Sequence, residues 1–251
     1  MDITLLGTGT GVPSSHRSPP CVAIKFGGKT AIFDSGPGTL NNLLEIGIDC
    51  LSIDYIFYTH LHLDHVADFA SILFAAKIPP RVRKKPLTVY GPKGLKDYYK
   101  KIYELYQETI CTDSYKLSVE EIENKEITLG GLSISTKTLV HHGGGMGYRI
   151  LTPKGKIVVY SGDTDYTKDI IELSKGADIL ITECSTPDEV KMNGHLTPTT
   201  AGKVAHQAKV KKLVLVHLYP ICDESDIITP CKKEYSGEII IGQDLMQFEV
   251  D

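Results

Sequence analysis

Short apolar runs recur along the chain, and each is cut off by glycine, proline or a polar cluster. Runs of this kind predict buried strands. They fall at residues 3–6, 21–26, 30–34, 54–58, 86–90, 126–129, 132–142, 156–160, 177–183 and 213–217, with a last strand pair around 239–241. The Gly27-Gly28 and Gly130-Gly131 pairs predict tight hairpins after 21–26 and 126–129. Helices are predicted over 41–46, 67–76, 95–106 and 198–209; the last has Thr197 as its cap and Pro198 in the first helical position. Strands interleaved with helices predict a layered α/β protein. The stretch from Gly7 to Pro13 breaks the first strand. Its glycine spacing and Pro13 do not suit a dinucleotide-binding turn, so it reads as a loop reversing the chain at a sheet end.

The residues that close these runs carry the chemistry. Strand 54–58 runs into Thr59-His60-Leu61-His62-Leu63-Asp64-His65. This places His60 and His62 on a turn facing one pocket, and Asp64 and His65 near the start of the next helix. Imidazole and carboxylate together suit zinc. Strand 132–142 ends in His141-His142; neighbours on a strand point to opposite faces, so one of the two faces the pocket. Strand 156–160 delivers Asp163, strand 177–183 ends in Glu183, and strand 213–217 ends in His217. His195 stands just ahead of the helix that starts at Pro198. Taken singly, Asp163 reads as a turn or cap residue. Asp34 reads equally as a turn former or as an acceptor that fixes a ligand imidazole. His16 and His206 fit no pattern. Taken together, His60, His62 and His141 suit one cation, Asp64, His65 and His217 a second, and Asp163 a bridge between them.

Composition narrows the partners. A chain of 251 residues, 41% apolar, suits one domain over 1–251 with a sizeable core. The net charge of −4 gives no general pull toward nucleic acid or membrane. No basic start leads into an apolar leader, and no run is long enough to span a bilayer. The six cysteines form no CxxC pair, which suggests reduced thiols in a cytoplasm; nothing favours a Cys222–Cys231 bridge. Residues 77–101 depart from the acidic average. They carry nine lysines and arginines from Lys77 to Lys101 against Asp97 alone, with Tyr90, Tyr98, Tyr99, Tyr103 and Tyr106 in or beside them. This stretch reads either as a surface for RNA phosphates and bases or as a solvated helix face.

The 59–65 turn resembles the HxHxDH signature of the metallo-β-lactamase superfamily, and the order of motifs resembles its ribonuclease Z branch. Leu5-Leu6-Gly7-Thr8-Gly9-Thr10 resembles that branch's opening, Asp34-Ser35-Gly36 its first motif, and Ser161-Gly162-Asp163-Thr164 its Ser-Gly-Asp-Thr. His141 stands six residues before Gly147-Tyr148-Arg149, as in the branch's His-x5-Gly-Tyr-Arg, which favours His141 over His142. Glu183 and His195 fall at the glutamate and histidine of its His-Glu-Ala-Thr and His-Ser-Thr motifs. The resemblance implies a four-layer αββα sandwich and two zinc ions, with manganese or iron as alternatives. It also implies a homodimer and a hydroxide-driven phosphodiesterase. In that chemistry Asp64 orients the nucleophile and the Glu183–His195 pair serves the leaving group. The same scaffold also suits hydrolysis of an ester, lactone, thioester or cyclic nucleotide, or nucleic-acid binding without catalysis. Asp165 stands where tRNA-processing members commonly carry arginine, and the sequence shows no glycine- and proline-rich arm for clamping tRNA.

Overall fold

The structure, a computed structural model, describes residues 1–250. Its strands form two seven-stranded sheets. The first contains β1 (Asp2–Gly7), β2 (Cys21–Phe26), β3 (Lys29–Phe33), β4 (Tyr55–Phe57), β5 (Leu87–Gly91) and β6 (Leu117–Glu121). The second contains β7 (Glu126–Leu129), β8 (Leu132–Leu139), β9 (Gly145–Leu151), β10 (Ile157–Tyr160), β11 (Ile179–Glu183), β12 (Lys212–Val216) and β13 (Glu238–Ile241). The last strand, β14 (Gln247–Glu249), returns to pair with β1 in the first sheet. Each sheet begins with antiparallel hairpins and then turns parallel, from β3 to β6 and from β10 to β13.

Strand alternation builds the layers. Ile3 and Leu5 of β1 and Val158 and Tyr160 of β10 point between the sheets, while Leu6 and Val159 point outward. The inner faces meet in a core where Phe33 stacks on Phe57 at 4.7 Å and Tyr148 meets Phe33 edge-on at 5.1 Å. Each large side chain buried this way contributes roughly 1.5–3 kcal/mol. The outer face of the first sheet is covered by α1 (Thr39–Glu45), α3 (Asp68–Ala75) and α4 (Leu95–Tyr106). That of the second is covered by α5 (Lys168–Ser174), α6 (Pro198–Gln207) and α8 (Ile228–Glu234). Two single-turn helices, α2 (Leu63–Val66) and α7 (Pro220–Asp223), lie at the rim. The result is the αββα sandwich that the resemblance implied. At the start of α6, Thr197 accepts from the Thr200 N–H and Pro198 follows in the first turn.

Several boundaries differ from the sequence reading. The 67–76 helix is α3, Asp68–Ala75, and a separate single turn, Leu63–Val66, precedes it inside the histidine turn. The 132–142 strand stops at Leu139, so His141 and His142 sit in a turn and strand alternation does not choose between them. The 239–241 region is no strand pair: β13 is an edge strand on β12, and the chain then crosses to the other sheet. Gly242 makes that crossing, its N–H donating to Leu215 O at 2.8 Å. A Cβ there would lie 2.9 Å from the same oxygen. Helices α5 and α8 and strands β6 and β9 were not anticipated. In β9, Gly147 allows a close approach, since a Cβ would lie 2.5 Å from Leu173. All six cysteines are free, Cys222 and Cys231 included. Among the described residues no helix is long and apolar enough to cross a membrane.

Candidate metal centre

β3, β4, β8, β10, β11 and β12 run the same way and end at one rim of the sandwich. That rim gathers residues from six separate stretches of chain. β4 ends at Phe57, and the Thr59 N–H donates to Asp34 Oδ1 at 2.8 Å, fixing the turn that follows. Thr59 Oγ1 donates to the same carboxylate and lies 3.0 Å from His60 Nδ1. His65 Nδ1 lies 2.8 Å from Asp34 Oδ2, which also accepts from the Tyr160 hydroxyl at 2.8 Å. Asp34 is therefore the acceptor that orients a ring, held at a left-handed φ of 60°. His141 Nδ1 lies 2.8 Å from Gly194 O. An imidazole that donates from Nδ1 keeps a lone pair on Nε2, which in each case turns toward the rim.

Asp163 lies at the centre. Its Oδ2 is 3.3 Å from His217 Nε2 and 3.7 Å from both His60 Nε2 and His141 Nε2, and its Oδ1 is 3.4 Å from His65 Nε2. The donor atoms of His60, His62, His141 and Asp163 lie within 4.8 Å of one another, as do those of Asp64, His65 and His217. These are the two sets suggested by the sequence, with Asp163 facing both. His142 stands beside His141 but outside either set.

The donor set fits divalent metal. His60 Nε2, His65 Nε2, His217 Nε2 and Asp163 Oδ1 are buried without a hydrogen-bond partner among the described residues. Such orphaned polar atoms cost about 1–3 kcal/mol each. His62 Nδ1 and His141 Nε2 face each other at 3.2 Å, an arrangement that a shared cation satisfies. Burial, with His65 next, pushes the His60 ring well below the usual histidine range, toward the neutral form that ligates. Burial works to raise the Asp163 carboxyl, but His217 and His65 outweigh it and hold it well below the usual carboxylate range.

Glu183 and His195 flank this cluster. Glu183 is buried at the end of β11 and accepts from the Thr164 N–H and the Ser185 hydroxyl, each at 2.5 Å. His195 Nδ1 lies 3.0 Å from Glu183 Oε2, and its ring stacks on His217 at 5.6 Å. Burial would lower the His195 ring, but the hydrogen bond to Glu183 and that group's charge raise it above the ordinary histidine value.

Residues 30–218 match the family described as "Beta-lactamase superfamily domain". The chain belongs to that superfamily. Within the superfamily its relatives include proteins named ribonuclease Z. "Ribonuclease Z" of Methanocaldococcus jannaschii is 30% identical, covering 100% of this chain and 97% of the relative. "Ribonuclease Z" of Methanothermobacter thermautotrophicus is 28% identical over 100% and 97%. The structure of human tRNase Z, short form, superposes with a TM-score of 0.82 at 25% identity, covering 100% of both chains.

Other parts of this superfamily member depart from the sequence reading. The Gly7–Pro13 loop does more than reverse the chain. Residues 10–19 line a cavity of about 760 Å³ that reaches Asp64 and Tyr219. Gly11 N–H donates to Asp64 Oδ2 at 2.9 Å. Gly7 is required because a Cβ would lie 1.8 Å from Pro19 O, where the two legs of the loop cross. His16 lines this cavity, whereas His206 is exposed on α6. Several cations of the basic segment are occupied within the protein, chiefly against residues 49–54. Arg83 is buried and donates to the carbonyls of Leu51, Ile53, Lys85 and Pro86. Lys85 pairs with Asp54, Arg81 with Asp49, and Lys101 with Asp97. Strands and helices follow one another from Leu87 to Leu139 with short connections and no inserted arm. The sequence reading passed over Ser185, Tyr160, Lys191 and the Gly194 carbonyl. Strand alternation offered a signal for Ser185 alone, since it sits two residues after Glu183.

Proposed function

We propose that the protein is a ribonuclease Z-like phosphodiesterase that works with two zinc ions. The observation that carries this reading is the convergence of seven donor side chains on one rim, with the Glu183–His195 pair beside them. His60, His62 and His141 would hold one ion and Asp64, His65 and His217 the other, with Asp163 shared; manganese or iron would use the same donors. Bound there, such ions supply an acidified water and positive charge beside the phosphoryl oxygens. Asp64, fixed by the Gly11 N–H, orients the nucleophile and accepts its proton. His195 has Nδ1 on Glu183, leaving Nε2 to protonate the departing oxygen. Glu183 selects that tautomer and favours its cationic form. An alkoxide leaving group needs that proton, which favours a phosphodiester over a thioester.

The name ribonuclease Z, carried by several relatives, supports RNA as the substrate. A smaller phosphodiester, such as a cyclic nucleotide, is the second reading. It is favoured by the internal use of Arg83 and Lys85 and by the 760 Å³ cavity beside Asp64, which is of small-molecule size. The proposed setting is a homodimer in the cytoplasm, where six unpaired thiols persist. The test is metal content together with turnover of bis(p-nitrophenyl) phosphate, a precursor tRNA, a lactone and a thioester. Two ions per chain and chelator-sensitive diester cleavage are expected. Turnover of the lactone or thioester with none of either phosphodiester would overturn the reading.

A further inference from the structure

The geometry points to Ser185 as a positioning residue that ties the metal-facing His217 and the proton-donating His195 to one carboxylate. The inference rests on the functional reading above. Ser185 is fully buried just beyond β11. Its Oγ has three polar neighbours: Glu183 Oε2 at 2.5 Å, His217 Nδ1 at 2.9 Å and His195 Nδ1 at 3.0 Å. A hydroxyl has one proton and two lone pairs. The shortest contact is the one to the carboxylate, and 2.5 Å is the length of a charge-assisted O–H···O⁻ bond. The proton therefore goes to Glu183, and the lone pairs are left to accept from ring N–H groups.

His217 fixes the direction of the chain. Its Nε2 is buried without a hydrogen-bond partner among the described residues and lies 3.3 Å from Asp163 Oδ2 and 3.6 Å from Asp64 Oδ2. For that nitrogen to present a lone pair, the ring proton must sit on Nδ1, against Ser185. The sequence of donors is then His217 N–H to Ser185 O–H to the Glu183 carboxylate, which His195 N–H meets from the other side. At His65 the carboxylate of Asp34 touches the ring directly. At His217 no carboxylate among the described residues reaches Nδ1, and the serine hydroxyl relays the charge of Glu183. Orienting partners of this kind raise the basicity of a ligand imidazole and fix its tautomer.

Removing the hydroxyl breaks both links. His217 Nδ1–H is left facing a buried gap, and Glu183 loses one of the donors that hold it against His195. Ser185→Ala is expected to weaken zinc affinity at the Asp64/His65/His217 set about 10–100-fold and to lower kcat with little change in KM. Ser185→Thr keeps the hydroxyl and restores both.

The test measures zinc affinity by chelator competition and kcat on bis(p-nitrophenyl) phosphate. It uses full-length wild type, the two serine variants, His195→Ala and the Ser185→Ala/His195→Ala double variant. The affinity loss should persist in the His195→Ala background, because it acts through His217. The loss in kcat should shrink there, because it acts through His195. A general packing defect would lower both alike in either background, and that result overturns the assignment. Equal affinity and equal kcat in Ser185→Ala and wild type also overturn it, while leaving the functional reading standing. A wild-type chain that takes up no zinc overturns both.

Discussion

The two donor sets face the same Asp163 but are supported differently. His65 is fully buried, with Nδ1 on the Asp34 carboxylate, and His217 reaches Glu183 through Ser185. In the other set Thr59 Oγ1 stands behind His60 and relays the Asp34 carboxylate as Ser185 relays Glu183, only the neutral Gly194 carbonyl stands behind His141, and His62 is exposed. A charged acceptor behind an imidazole strengthens it as a ligand more than a neutral one does, and burial slows exchange with solvent. Two identical cations at this rim should therefore be held unequally. The Asp64/His65/His217 set should release its ion last when a chelator is titrated in.

The largest effect expected abolishes the comparison. Asp163 faces both sets, so Asp163→Ala should empty both and bring diester turnover to background. Metal analysis of the purified variant checks this, and two retained ions per chain would contradict the shared role. Next in size is His195→Ala, which removes none of the seven donors assigned to the two sets. Turnover should fall by roughly 10²–10⁴-fold with zinc content unchanged. Turnover equal to wild type would remove His195 from the chemistry.

Asp34→Asn sharpens the comparison directly. The amide keeps the shape but loses the charge behind His65. Zinc affinity should drop about 10–100-fold at the better-supported set and much less at the other. If both sets weaken together, Asp34 serves the Thr59 turn as a whole rather than one ring. Its hydrogen bonds to the Thr59 N–H and hydroxyl make that a real alternative outcome.

How far this centre could be seen in advance depended on whether a residue's partner lies nearby in the chain. His60, His62, Asp64 and His65 fall in one turn, and His141, Asp163, Glu183 and His217 each lie at or within a few residues of an apolar strand's end, so turn punctuation exposed them, while the resemblance chose His141 over His142. The layered α/β class followed from the same punctuation, and the four-layer sandwich from the resemblance that the motifs carry. The supports were harder to see because they are remote or anonymous. Gly194 offers His141 only a backbone oxygen, 53 positions away, and carbonyls have no sequence signature. Tyr160 reaches Asp34 across 126 positions. The 77–101 charges were plain, but that Arg83 is spent capping buried carbonyls follows only from the packing of the 49–54 turn against it. The two tail strands were misjudged as partners because pairing depends on the Gly242 crossing, which apolar pattern does not report.

The smallest effect concerns the neutral support behind His141. Asp165 Oδ2 accepts from the Gly194 N–H at 2.9 Å, and the Asp165 N–H donates to Val140 O at 2.7 Å. Lys191 Nζ donates to Asp165 Oδ1 at 2.8 Å and to His195 O at 2.9 Å. Asp165 thus pins the loop that carries both the Gly194 carbonyl and His195. The Lys191 and Asp165 side chains keep 36% and 27% of their exposure, so solvent screens the pair and its worth is at most about 1 kcal/mol. Lys191→Met should therefore weaken zinc at the His60/His62/His141 set only about two- to fivefold, which is what such an energy allows. The difference should be largest at low ionic strength and shrink as salt is added, because ions in solution screen partly exposed charges. The Asp64/His65/His217 set, supported from β3 and β11, should not respond. An equal loss at both sets, or a loss indifferent to salt, would mean that the loop acts through packing and that the unequal supports do not set the two affinities.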